Sequence, residues 1–283
     1  MATSDDSSIA QNFASFFNGW LVRLERFHER LVQALNEDDI QHQQLESLIQ
    51  QVLSHYEQYL VEKSTAAREQ VLLFYSPPWL TSFEKALLWV GGFKPFLLFK
   101  LLANSVTELT PEQGEAIERV KCETRREERE LTQDSATIQE SLAALPLLKL
   151  VRRYGGRIDG ELSELESAME NMKVEMLRAL ERADKLRRTT VRKLLQTLSP
   201  VQTVKFLAAS AEFQLTVRKR GMQKGQERAS LDNNGETGVT KQRKGKCAIW
   251  LGDPLLQQHK PVLSFLSLLQ DFNLIQLSSL QVV

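Results

Sequence analysis

Disulfide chemistry has almost nothing to work with in this chain: its 283 residues include only two cysteines, Cys122 and Cys247. Two thiols so far apart make neither a disulfide framework nor a metal-ligand spacing, and they point to a reducing compartment. An excess of one charge is also missing. The 36 basic and 36 acidic residues leave a formal net charge of zero, which argues against a surface whose main task is neutralising phosphate. No run of about 18 uncharged apolar residues occurs ahead of the C-terminal tail, so no membrane span is expected there. The opening Met-Ala-Thr-Ser-Asp-Asp is acidic and polar, unlike a signal or transit peptide.

Signatures of catalysis are equally scarce. The four histidines, His28, His42, His55 and His259, lie in no His-Glu-x-x-His or Cys-x-x-Cys setting, so no zinc site is expected. Gly91-Gly92 and Gly155-Gly156 lack the further glycines of a dinucleotide or Walker loop. No Gly-x-Ser-x-Gly elbow exists. The adjacent acids Glu127 and Glu128 sit among arginines, as on a salt-bridging helix face. These patterns assign no catalytic, cofactor-binding or metal-ligating residue, and the chain reads as a non-enzyme.

Strand-like alternation is not sustained anywhere, and no hairpin signal links two apolar runs. What is present is helical periodicity. Phe13, Phe17, Trp20, Leu24, Phe27, Leu31 and Leu35 mark one face of a long helix; Leu45, Ile49, Val52, Tyr56 and Leu60 mark a second, expected to run on to Phe74. His55 on this helix reads as a satisfied helix histidine. Ile117, Thr124, Leu131, Ile138 and Leu145 recur every seven residues on another, whose charged middle over 121–130 is expected to cross solvent. Leu162, Leu165, Met169, Met172, Met176, Ala179, Ala183 and Leu186 form a coiled-coil-like seam. The fold class is all-α, an antiparallel bundle of long amphipathic helices.

The chain turns on residues 76–93. Pro77 and Pro78 stop the preceding helix. Thr81 and Glu84 have capping-box spacing, predicting a short helix over 82–90. Gly91 or Gly92 closes it in the left-handed conformation, and Pro95 opens the next helix at a harmless first-turn position. That helix is apolar all round, hence buried. Trp79 and Trp89 make the segment a packing hub, because indoles bury more area than any other side chain. Residues 1–12 read as a disordered N-terminus, 13–220 as one helical domain, 221–245 as a flexible linker, and 246–283 as a Leu-rich tail.

Read together, Phe-Phe-Asn-Gly-Trp-Leu from Phe16, Leu-Ser-His-Tyr-Glu-Gln-Tyr from Leu53, Pro-Pro-Trp-Leu-Thr-Ser-Phe-Glu from Pro77, Leu-Trp-Val-Gly-Gly-Phe-Lys-Pro from Leu88 and Leu-Thr-Pro-Glu-Gln from Leu109 resemble the plant delay-of-germination domain. TGA basic-zipper transcription factors carry the same domain. The later Leu-Ser-Pro-Val-Gln-Thr-Val-Lys-Phe-Leu from Leu198 is most similar to the stand-alone proteins of the delay-of-germination-like 4 type. On this resemblance Trp20, His55, Trp79, Glu84, Trp89, Gly91, Gly92 and Pro95 are signature structural residues. The resemblance implies a regulator of seed dormancy or maturation. Such a protein acts in nucleus and cytoplasm through regulatory proteins such as the abscisic-acid-pathway protein phosphatases. It also implies homo- or heterodimerisation through the domain. The alternative it implies is sequence-specific DNA binding and transcription regulation, although no basic helix feeding a leucine heptad precedes the first core helix. A weaker alternative is binding of heme or a hydrophobic ligand. The family's heme site rests on C-terminal histidines, where this chain has only His259.

Overall fold

The computed structural model describes residues 4–37, 41–144 and 159–234. They form eight helices: α1 (Ser4–Asn36), α2 (His42–Glu69), α3 (Leu72–Tyr75), α4 (Ser82–Lys85), α5 (Phe96–Ser105), α6 (Pro111–Ala144), α7 (Asp159–Thr197) and α8 (Pro200–Asn234). No strand occurs among the described residues, and the fold is all-α. Residues up to Gly225 make one compact unit; residues 226–234, the end of α8, belong to a second.

Side-chain pairs give the helix directions. Trp20 meets His55 and Arg30 meets Gln51, so α1 and α2 run antiparallel. Glu57 pairs with Arg188, Lys63 with Asp184 and Arg68 with Glu181, so α2 and α7 do too. Glu123–Lys193, Thr124–Thr190 and Asp134–Arg182 set α6 against α7 in the same sense. The main core gathers Phe13, Phe17, Trp20 and Leu24 of α1, Ala67 of α2, Phe74, Trp79, Leu180 of α7 and Ala211 of α8. Its rings meet mainly edge-on or tilted, the arrangement their quadrupoles favour.

Capping boxes start α4, α6 and α8. In each, a hydroxyl accepts the amide three residues on and a Glu or Gln side chain reaches back: Thr81 with Glu84, Thr110 with Gln113, Ser199 with Gln202. The last two interlock, since Gln113 Nε2 donates to Gln202 Oε1 at 2.9 Å.

Several expectations change. α1 begins at Ser4, not near Phe13, so residues 4–12 of the segment expected to be disordered are helical. Ile9 and Ala10 of this stretch are partly covered. α2 stops at Glu69, and α3 is a separate turn that swings Phe74 to 5.0 Å from Phe13. The middle of α6 does not cross solvent: Thr124, Glu128 and Leu131 are buried while the other residues over 122–130 face out. The α7 seam holds from Met176 through Ala179, Ala183 and Leu186, whereas Met169 is exposed. The side chains of Leu162 and Leu165 lie outside the described residues. α8 runs through the expected linker start to Asn234. Gly221 is buried there, and a Cβ on it would stand 2.0 Å from Thr81 Oγ1. The tail over 246–283 lies outside the described residues.

A charged clamp, an aromatic core and a candidate binding cavity

The expected helix over 82–90 ends at Lys85. Four residues later the chain begins to reverse: Trp89 N donates to Gly92 O at 2.7 Å and Gly92 N to Trp89 O at 3.3 Å. Val90 and Gly91, between them, have φ of 44° and 66°, the signs a two-residue primed turn demands. Gly91 is therefore left-handed as expected, but inside a reverse turn and not as a helix cap. For a β-branched residue such as Val90 this conformation is strained.

Arg187 of α7 holds the strained turn. Its Nε donates to Phe93 O at 2.8 Å, and one terminal nitrogen reaches both Trp89 O and, at 3.0 Å, Val90 O. The other donates to Asp184 Oδ1 at 2.6 Å. Lys63 arrives from α2, 1% exposed, and donates to the same oxygen at 2.8 Å. Burial pushes the Lys63 ammonium down to about 8, against the pull of Asp184. A Cβ added at either glycine of this turn would crowd α7. On Gly91 it would lie 2.3 Å from Leu180 Cδ1, and on Gly92 2.9 Å from Arg187 Cζ.

The aromatic signature residues divide between two places. Trp20 and Trp79 belong to the main core, Trp79 at 4.7 Å from Phe13. Trp89 is half-buried on a smaller cluster of Leu131, Ala183 and Leu186, with its Nε1 donating to Thr132. The two indoles of residues 76–93 thus do not form one hub. Phe83 lies under the Lys224 ammonium at 4.6 Å. Trp20 stacks on His55 at 4.7 Å and 8°, and donates to its carbonyl at 3.0 Å. His55 is not the satisfied histidine expected: its Nε2 is buried without a partner among the described residues. Burial first, then the nearby Arg23 charge, brings its pKa down to about 4.

Glu84 does more than cap α4. It also accepts from Arg218 of α8 at 3.0 Å, and Arg218 donates to Trp79 O at 2.8 Å. Pro95 is buried just ahead of α5, where the Phe96 amide donates to Glu128 of α6 at 2.6 Å. Burial raises the Glu128 pKa, while that amide and the cations of Lys94, Arg125 and Arg187 oppose the rise. Lys63 and Asp184 were not singled out from the sequence, while Glu128 was read, with Glu127, as part of a salt-bridging helix face. Lys63 left a signal, since it continues the apolar steps Val52, Tyr56 and Tyr59 toward Ala67.

Between α2 and a wall made of α5, α7 and α8 lies a cavity of about 840 Å³. Leu98 and Leu101 of α5, Leu195 of α7 and Phe206 of α8 supply apolar lining, and Lys63, Arg187, Arg188 and Arg192 line it too. α5 is apolar all round because Phe99 and Leu102 face the core while Leu97 and Leu98 face this space. None of the described histidines lines the cavity, so it offers no imidazole to a heme iron. No group of three or more His, Cys, Asp or Glu suited to a metal ion occurs among the described residues.

Residues 28–104 match the family model DOG1, described as seed dormancy control. Over 222 residues, 76% of this chain and 99% of the relative, the sequence is 44% identical to Protein ZW2 of Arabidopsis thaliana. The chain belongs to the DOG1 family. Protein RESPONSE TO ABA AND SALT 1 of the same plant is 41% identical over 77% of this chain and 99% of its own length. DOG1-like 4, the type the later motifs resemble, follows at 29% over 75% and 93%. ZW2 and RESPONSE TO ABA AND SALT 1 are thus more similar to this chain than the type expected. TGA transcription factors share the DOG1 region as well. No described helix is long and apolar enough to cross a membrane.

Proposed function

We propose that this DOG1-family chain is a non-enzymatic plant regulatory protein of hormone and salt responses, bearing on seed dormancy or maturation. It acts in nucleus and cytoplasm by binding other regulators. The observation that carries the reading is the identity to RESPONSE TO ABA AND SALT 1 along nearly that protein's whole length. The geometry supports it. Clamps such as Lys63–Asp184–Arg187 and Glu84–Arg218 hold helices in fixed relation, so α6 presents a constant outer row that includes Arg126, Glu127 and Glu130. Fixed, mixed-charge helix faces favour specific protein contacts over uniform phosphate binding.

Affinity purification from hormone-treated seeds, with the wild-type chain and with Arg126→Glu plus Glu130→Arg, tests the reading. A regulator, protein phosphatases included, should be retained by the wild type and lost with the charge-swapped face at unchanged melting temperature. Specific retardation of DNA by the purified chain alone, at stated salt, would support the transcription-factor alternative.

A further inference from the structure

The charges of α6 are sorted by face. Lys121, Arg125 and Arg129 follow one another at four-residue steps on the side that meets the start of α5. The acids Glu123, Glu127, Glu130 and Asp134 fall on the opposite side, where Glu123 and Asp134 reach Lys193 and Arg182 of α7. Like charges at four-residue steps weaken a helix, so the basic row does not serve α6 itself. Glu118 answers Lys121, but Arg125 and Arg129 are exposed and form no ion pair among the described residues. Arg125 lies over the Phe96 ring at 4.3 Å, and a guanidinium stacked in this way keeps its edge for a planar acceptor. Lys94 adds a further cation without an ion pair among the described residues, 6.0 Å from the Trp89 ring. Trp89 is half-buried and bonds to Thr132, one turn beyond Arg129. The one acid beneath this row, Glu128, is buried and accepts from the Phe96 amide. The positive-φ turn at Val90, gripped by Arg187, fixes Trp89 and Lys94 beside the row. Strained backbone of this kind persists where its surroundings over-determine it, and it clusters at binding sites.

We propose that this face of α6 docks an acidic peptide segment of a partner protein. The inference rests on the reading that the chain acts by binding other regulators, and it names the chemistry they present. Carboxylates of the segment meet Arg125, Arg129 and Lys94, and an apolar side chain covers the open edge of Trp89. A nucleic-acid strand suits the face less well, because Glu123, Glu127 and Glu130 of the same helix repel phosphates that run past the row.

Fluorescence anisotropy with the full chain tests this, with circular dichroism confirming the fold of each variant. The probes are a labelled peptide alternating glutamate with leucine, its counterpart with glutamine for glutamate, and a labelled single-stranded oligonucleotide of equal length. The glutamate peptide should bind saturably at low salt and more weakly as salt rises, and the glutamine peptide should not bind. Arg129→Glu should weaken the glutamate peptide about tenfold or more, because a like charge then faces it. Lys219→Glu makes the same change of charge on the exposed surface of α8 and should leave the affinity as it was. Arg125→Gln should act in the direction of Arg129→Glu; if it does not fold without its cover on Phe96, Arg129→Glu decides alone. Equal affinity in the wild type and Arg129→Glu overturns the proposal. So does an equal loss with Lys219→Glu, or no binding of the glutamate peptide. Tighter binding of the oligonucleotide, lost with Arg129→Glu, overturns it in favour of nucleic acid. If the purified chain ignores the peptide while regulators from seed are still retained, this surface falls and the proposed function stands.

Discussion

Asp184 and Lys63 form an unequal pair. Asp184 serves two buried cations, so Asp184→Asn strands both and should cost about 3–5 kcal/mol. Lys63→Met removes one buried charge, keeps most of the stem, and leaves Arg187 with its carboxylate. Replacing a buried ion by an apolar group of similar volume is often neutral, so the loss should stay within about 1 kcal/mol. Urea melts at pH 7 compare the two, and equal losses would contradict this account of the clamp. The pH profile offers a second measurement. The folded pKa of Lys63 is about 8 against an ordinary 10.5, so the unfolded chain binds more protons between those values. Its contribution therefore makes stability rise with pH across that window, and Lys63→Met should lack the rise. His55 works at the acid end. Its folded pKa of about 4 lies below the ordinary 6.5, so the unfolded chain again binds more protons between the two. Stability is lost as pH falls from 6.5 toward 4, and His55→Phe, which cannot titrate, should show a shallower decline in melting temperature over that range.

Among the elements, the two halves of the aromatic segment differ in depth. Trp20 is fully buried and stacked, so Trp20→Ala should cost about 3–5 kcal/mol. Trp89 is half-buried on a small cluster, and Trp89→Ala should cost less, roughly 1–3 kcal/mol. Thermal melts of the two variants rank them, and the reverse order would undo the division of the core. Gly91→Ala meets Leu180 at 2.3 Å and a φ of 66° together. Overpacking costs about 1–3 kcal/mol, and the left-handed backbone adds about 1–2. Helix starts were legible in the sequence because Thr81/Glu84, Thr110/Gln113 and Ser199/Gln202 carry their own hydrogen-bonding chemistry. The reversal at Trp89 was not. Val90 belongs to the residue class least suited to positive φ, and what holds it there is Arg187, distant in sequence and engaging three carbonyls of the turn. Local spacing carries no record of such a contact. The cavity was half legible: an α5 apolar on every side signalled burial, but not that part of the burial would face open space.

For the molecule as a whole, the question is where the bundle ends. Sequence composition placed the boundary after Arg220, because Gly, Asn and Lys then dominate and little there can bury. Composition misses a glycine that is buried for lack of a side chain. Gly221 lets α8 approach Thr81, the capping residue of α4, so closely that a Cβ would sit 2.0 Å from its hydroxyl. One turn on, Lys224 covers the Phe83 ring at 4.6 Å. These contacts fasten residues 221–224 of α8 to the same short helix that Arg218 grips through Glu84. The compact unit accordingly runs to Gly225. A chain cut after Gly225 should melt within a degree or two of the same transition, since about 1 kcal/mol moves a domain of this size by only about 2–4 °C. A chain cut after Arg220 loses the approach at Thr81 and the cation over Phe83, and should be weaker by roughly 1–3 kcal/mol. Differential scanning calorimetry on the two truncated chains checks this. If both melt alike, the last turns over 221–225 contribute nothing to the bundle, and the boundary belongs where composition placed it.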